Sequence, residues 1–156
     1  MYDLNVLDKT QRKKMLEKVQ IVIFRELDNI LFALLLKTNK DRGSFWQNIT
    51  GAVEKRDFDI KFAAIREINE EIGVQLRSDQ IIDLNSSFSY ENLTRKSVFK
   101  EHLLFATIES HSDIKISEEH MAYRWVPVKL ISQSDYKFNS NFEAFKISLE
   151  RKMDRE

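Results

Sequence analysis

Apolar residues in the first half of the chain come in runs. Gln20-Ile21-Val22-Ile23-Phe24 and the seven-residue run Ile30–Leu36 flank the dipeptide Asp28-Asn29. Runs of this length bounded by turn residues predict two buried strands joined as a hairpin. Ahead of them, residues 8–18 (DKTQRKKMLEK) predict a short amphipathic helix or an arm, so that residues 1–17 stand apart from a domain over 18–156. A polar loop over 37–44 leads to a short strand at Phe45–Ile49. The period then becomes helical. Phe58, Phe62, Ile65, Ile68 and Ile72 recur at steps of four and three, an apolar stripe facing a core, and Gly73 sits where a left-handed cap ends a helix. Further strands are expected at 81–84, 98–108 and 123–126, the first two separated by the polar stretch 85–96 and the last stopped by Pro127. A final helix is expected from Ser140, with Glu143 three residues on in a capping box and Phe142, Phe145, Leu149 and Met153 on its apolar face. The whole describes one α+β domain.

Composition narrows the chemistry. A length of 156 residues suits one domain. Lys plus Arg and Asp plus Glu number 25 each, so the zero net charge argues against holding nucleic acid by bulk electrostatics. Cysteine is absent, which excludes disulfides, a thiolate nucleophile and a cysteine-ligated zinc. No apolar run is long enough for a membrane span. The basic N-terminus lacks an apolar signal core and carries Asp3, Asp8 and Glu17, so a cytoplasmic protein is expected.

The chemistry concentrates in Gly51–Val74, GAVEKRDFDIKFAAIREINEEIGV. On a helix Glu67, Glu70 and Glu71 fall within an arc of roughly 100°, away from the apolar stripe. Glu67 and Glu71 are one turn apart, and like charges at that spacing repel. Arg66 relieves this if it pairs with Glu70 at i+4. A cluster of hard oxygen ligands suits Mg²⁺, with Mn²⁺ as an alternative, and Glu54 on the preceding loop is placed to complete the set. The competing reading is a solvated acidic helix face.

The string Arg66-Glu67-Ile68-x-Glu70-Glu71-x-Gly73-Val74, preceded by Gly51, resembles the Nudix box, GX5EX7REUXEEXGU with U aliphatic. Two departures stand out. The sixth position after the glycine holds Asp57 in place of glutamate. Arg66 lies fifteen residues after Gly51 where the family has fourteen, so the loop before the helix is one residue longer. Outside the box, Phe45-Trp46-Gln47-x-x-Thr50-Gly51-x-Val53-Glu54 is similar to FWQSVTGSVE of the family's dihydroneopterin triphosphate pyrophosphatase branch. Ser117-Glu118-Glu119-His120-Met121-Ala122-Tyr123-Arg124-Trp125 is similar to that branch's Thr-Glu-His-Leu-Ala-Tyr-Lys-Trp segment. The similarity runs from about residue 18 to 150.

The resemblance implies a Nudix α/β/α sandwich with a mixed β-sheet between helices. It implies Mg²⁺-dependent hydrolysis of a phosphoanhydride in dihydroneopterin triphosphate or a deoxynucleoside triphosphate such as dATP, releasing pyrophosphate, with a role in folate synthesis resting on analogy alone. Other diphosphate substrates, such as dinucleoside polyphosphates or nucleotide sugars, and a catalytically weakened nucleotide sensor are the rivals. Metal ligands are implied at Glu67, Glu70, Glu71 and Glu119, with Glu54 beside them. Glu119 and Glu70 are implied in catalysis, Glu119 as a base or water-positioning group, and Arg66 as orienting the box glutamates through a bidentate pairing. Thr50 and Gly51 border the substrate in this pattern. Lys37 is placed to meet a triphosphate, or simply to keep a loop soluble; Trp46 to stack on a pterin, or to pack in the core. Phe88 and Tyr90 are open candidates for a pocket wall. His102 and His120 stand isolated in sequence, against a histidine-rich metal site. The expected partner is a small phosphorylated molecule, with no nucleic acid or membrane, in a monomer or homodimer.

Overall fold

A computed structural model describes residues 14–94 and 96–155. Seven strands and two helices follow in the order β1 (Lys14–Leu27), β2 (Ile30–Thr38), β3 (Trp46–Gln47), β4 (Ile49–Ala52), α1 (Ile60–Ile72), β5 (Ile81–Asn92), β6 (Ser97–Ile108), β7 (His120–Pro127) and α2 (Asn139–Asp154). The expected helix over 8–18 does not reach residues 14–18, which are already strand; residues 1–13 lie outside the described residues. What recruits 14–18 is β6, which runs parallel to β1 over twelve residues from Lys14↔Ser97 to Arg25↔Ile108.

The hairpin forms as expected. Asp28 and Asn29 both take positive φ, 53° and 63°, the backbone a two-residue turn needs to match strand twist. Beyond it β1 and β2 diverge. Only Phe24–Leu27 pair with Ile30–Ala33, while Lys18–Ile21 pair with β4 and Leu36–Lys37 pair with β3. The segment 46–52 is thus wedged into the split between two central strands, which delivers Thr50 and Gly51 to the middle of the sheet. The remaining order is β3-β2-β1-β6-β5, with β7 on the far edge of β2, and the sheet is mixed.

Both faces of this sheet are covered, which is why the strands read as apolar runs. Val19, Ile21, Ile23, Leu34 and Leu36 pack against Ala63, Ala64, Ile68 and Ile72 of α1. Val22, Phe24, Ala33, Leu35, Leu103 and Phe105 pack against Ala144 and Phe145 of α2. The α/β/α sandwich is as expected.

Three expectations fail in detail. Phe58 and Phe62 are exposed, 90% and 51%. The row that packs is Ala64, Ile68 and Ile72, whose small first member lets the helix approach the sheet closely, and the adjacent row Ala63, Glu67 and Glu71 is buried with it. The glutamates therefore flank the apolar face; only Glu70 faces solvent. The polar stretch 85–96 is strand as far as Asn92. It pairs with β6 after an irregularity between Asp83 and Ser87, where Asn85 has φ 50°. Finally, α2 starts at Asn139 without a side-chain cap, and Glu143 pairs outward with Lys146 at 3.0 Å.

Candidate active site

Helix α1 begins where Asp59 accepts a hydrogen bond from the Phe62 N–H and ends at Gly73, φ 70°. These caps fix which turn carries Arg66, Glu67, Glu70 and Glu71. Arg66 is the hub of the preceding loop. Its Nε and Nη2 donate to the two oxygens of Asp57 at 3.0 and 2.9 Å, and Nη2 also donates to the Ala52 carbonyl at 2.8 Å. Its Nη1 donates to Glu67 Oε1 at 2.9 Å and lies 3.4 Å from Glu70 and 3.6 Å from Glu54. The bidentate pairing is therefore with Asp57, not with a helix glutamate. Asp57 also accepts from the Glu54 N–H, and the Arg66 guanidinium holds its carboxyl below the ordinary range.

Glu67 lies against Gly51 so closely that a Cβ at residue 51 would collide with its carboxylate. The glycine is there to make room. Burial raises the Glu67 carboxyl to about 7, with the neighbouring charges of Glu70 and Glu71 adding to the rise and Arg66 opposing it.

Glu71 is served from the other side. Lys115 and Ser117 donate backbone N–H groups to the carbonyls of Ile72 and Glu71, docking loop 109–119 on the end of α1. Ser117 Oγ then donates to Glu71 Oε2 at 3.2 Å, and His120 Nδ1 lies 2.7 Å from the same oxygen. Burial disfavours the Glu71 charge, but the close polar neighbours His120, Glu119 and Ser117 outweigh it and leave its pKa low. Glu119 moves the opposite way, raised chiefly by its hydrogen bond to Glu71. On its solvent side Glu119 Oε2 accepts from Arg42 Nη1 at 2.9 Å.

His120, isolated in sequence apart from its neighbour Glu119, is brought by the fold to the Glu71 carboxylate. The ring is buried and also meets Gln47 Nε2 at 3.4 Å through Nε2. That contact leads to a cleft of about 590 Å³ between the sheet and the start of α2, lined among others by Gln47, Thr50, Phe88, Tyr90, Glu101, Phe138 and Asn141. Cleft and carboxylates meet twice, through Gln47–His120–Glu71 and at the adjacent residues Thr50 and Gly51.

The structure brings Arg66, Glu67, Glu70, Glu71, Glu119, Glu54 and Gly51 together, with Thr50 on the cleft. It does not bring Trp46 or Lys37 there. Trp46 packs beneath the Arg124 guanidinium, 4.4 Å from its ring centre, and Lys37 sits opposite Trp46 in the sheet. Glu54 and Glu70 lie on the exposed flank, gathered around Arg56 and Arg66. Among the described residues no group of three or more acidic or imidazole side chains is arranged to hold a metal ion. No helix among them is long and apolar enough to cross a membrane.

Residues 16–145 match the NUDIX domain. The chain is 29% identical over 143 residues to the dihydroneopterin triphosphate diphosphatase of Haemophilus influenzae, covering 83% of this chain and 85% of that one. It is 33% identical over 102 residues to the nucleoside triphosphatase NudI of Escherichia coli, covering 60% and 71%. A 97-residue stretch is 29% identical to an octanoyltransferase of Myxococcus xanthus, 61% of this chain but only 26% of that protein's length. Among solved structures, a C. elegans Ap4A hydrolase binary complex superposes with TM-score 0.72 at 19% identity, covering 90% of this chain and 99% of that one. The E. coli dihydroneopterin triphosphate pyrophosphohydrolase superposes with TM-score 0.68 at 24% identity, covering 83% and 92%. These share the fold. With the box residues gathered on α1 and the domain match spanning most of the chain, the protein belongs to the NUDIX family, as a pyrophosphohydrolase of phosphorus-containing anhydrides.

Proposed function

We propose that the chain hydrolyses the triphosphate of dihydroneopterin triphosphate, or of a deoxynucleoside triphosphate such as dATP, releasing pyrophosphate. One observation carries this reading: a 590 Å³ cleft with aromatic walls opens beside the carboxylate group of α1. That volume suits a single small ligand. Phe88, Tyr90 and Phe138 suit a flat heterocycle, and Thr50 and Gly51 lead from it to Glu67. The likeness to the dihydroneopterin triphosphate diphosphatase supports the pterin substrate.

Nudix hydrolases generally use a divalent metal, typically Mg²⁺. The donor chemistry fits one: Glu67, Glu71 and Glu119 offer hard carboxylate oxygens, and burial raises the Glu67 carboxyl in the absence of a cation. An open group of carboxylates suits an ion that keeps several waters and takes further oxygens from substrate phosphates. Glu67, Glu71 and Glu119 are the proposed ligands, with Glu70 and Glu54 on the flank. When bound, the ion neutralises charge on the phosphates, without which a triphosphate would be repelled.

The protein's own part is positioning. Arg66 and Gly51 hold Glu67, and His120 and Ser117 hold Glu71. Glu119, on the accessible side, accepts a proton from water as its oxygen bonds to phosphorus. The bridging P–O bond breaks, and a monophosphate and pyrophosphate result. The test is turnover with Mg²⁺ on dihydroneopterin triphosphate, the common nucleoside triphosphates, a dinucleoside tetraphosphate and ADP-ribose. Pyrophosphate from the pterin or a deoxynucleotide above the others supports the reading. Preference for the dinucleotide or ADP-ribose sinks the substrate, and binding without turnover sinks the catalysis.

A further inference from the structure

Four polar side chains from distant parts of the chain are buried in one network beneath the cleft. Gln20 Nε2 donates to Glu101 Oε1 at 2.7 Å, Asn48 Nδ2 donates to Gln20 Oε1 at 2.8 Å, and the Asn48 N–H donates to Asn141 Oδ1 at 2.8 Å. All four residues are at least nine-tenths buried, and Glu101, at 5% exposure, lines the cleft. From Asn48 the donors run through Gln20 to the Glu101 carboxylate on one side and to Asn141 on the other. Among the described residues the second oxygen of Glu101, Oε2, has no hydrogen-bond partner.

A buried carboxylate is a costly way to fill space on a sheet face, where a leucine would pack as well. No arginine or lysine is bonded to it among the described residues. Lys18, its cross-strand neighbour, acts only through space and leans over the Phe99 ring at 5.6 Å. Burial raises the Glu101 carboxyl, with Gln20 and Lys18 opposing. A ligand with hydrogen-bond donors would satisfy the group that the protein leaves half-served.

We infer that Glu101 sets the specificity of this cleft by accepting two adjacent N–H groups from a 2-amino-4-oxo ring, the donor edge shared by pterin and guanine. The inference rests on the triphosphate reading above and narrows it. Both oxygens of a carboxylate can be met side by side by a ring N–H and the exocyclic amino group beside it. Adenine sets a ring-nitrogen lone pair beside its amino group, and uracil and thymine flank their N–H with carbonyls. Each of these brings an acceptor against a carboxylate oxygen. Phe88, Tyr90 and Phe138 supply aromatic surface for the ring.

The test compares kcat/KM for dGTP, dITP and dATP with Mg²⁺ in the wild type and in Glu101→Gln. Since dITP lacks only the 2-amino group, the ratio within each protein is insensitive to any loss of folded enzyme. The wild type should prefer dGTP over dITP and dATP by about 10-fold or more, mainly through KM, and the variant should bring both ratios to within about threefold of unity. Equal ratios in the two proteins, or no preference in the wild type, overturn the inference. If no triphosphate is hydrolysed, the proposed function fails separately. Calorimetric binding of guanosine and inosine then decides Glu101. Tighter guanosine binding in the wild type alone upholds it, and equal or absent binding overturns it.

Discussion

Arg66 grips Asp57 through two parallel hydrogen bonds, Nε to Oδ1 at 3.0 Å and Nη2 to Oδ2 at 2.9 Å. The loop before the helix is one residue longer than the family pattern, and its acid is one methylene shorter. In this loop Asp57 supplies the carboxylate that Arg66 grips while it also holds Glu67. The Asp57 side chain is fully buried and Arg66 nearly so. Replacing Asp57 with Asn leaves a guanidinium facing an amide NH₂. Urea unfolding should show a loss of about 2–4 kcal/mol. A change below about 0.5 kcal/mol would mean that the pair does not organise the loop.

Gly51 is predicted to be intolerant of alanine. The added methyl collides with the Glu67 carboxylate, which must swing out of its place beside β4. Displacing Glu67 should lower kcat/KM by about 100-fold, with a smaller effect on stability because the clash falls on the end of one side chain. Near-normal activity in Gly51→Ala would remove Glu67 from the chemistry.

Metal-free protein should become less stable as pH rises. The Glu67 carboxyl titrates at about 7 in the fold, against 4.5 for an ordinary glutamate. Between those values the folded state keeps a proton that the unfolded chain has released, so stability falls as pH rises through the window. In EDTA, unfolding free energy should drop on the order of 2–3 kcal/mol between pH 4.5 and 8, and the drop should shrink in Glu67→Gln. A flat profile in the wild type would contradict the assignment.

His120, 2.7 Å from Glu71 Oε2, is expected to act through that carboxylate. Removing its ring in His120→Ala strips a buried partner from the carboxylate, and kcat should fall about 10-fold or more with a rise in the Mg²⁺ concentration needed for half-maximal rate. His120→Asn, which retains a side-chain donor, should recover part of the loss. If both variants need the same Mg²⁺ as the wild type, the contact serves packing alone.

Much of this was legible in the sequence where neighbours decide the outcome. Asp28-Asn29 dictated the hairpin, Gly73 the helix end, and the box spacing the gathering of Arg66, Glu67, Glu70 and Glu71. Long-range packing decided the rest. Phe58 and Phe62 have the right period for a core stripe, yet alanines 63 and 64 pack because only small residues allow the helix so near the sheet. The polar residues after Asn85 hide a strand because pairing with β6 supplies its hydrogen bonds. Trp46 looked like a ring platform and is instead covered by Arg124. His120, and the network from Gln20 through Asn48 to Glu101 and Asn141, join residues up to 93 positions apart, where no local pattern exists.

The most direct measurement is pyrophosphate release from dihydroneopterin triphosphate by the wild type and Glu71→Gln, each with Mg²⁺ and with EDTA. Pyrophosphate, and not orthophosphate, is expected from the wild type with Mg²⁺, at a rate at least about 100-fold lower in the variant and with none above background in EDTA. Equal pyrophosphate release from wild type and variant, or release that persists in EDTA, would contradict a metal-dependent reaction at the carboxylates of α1.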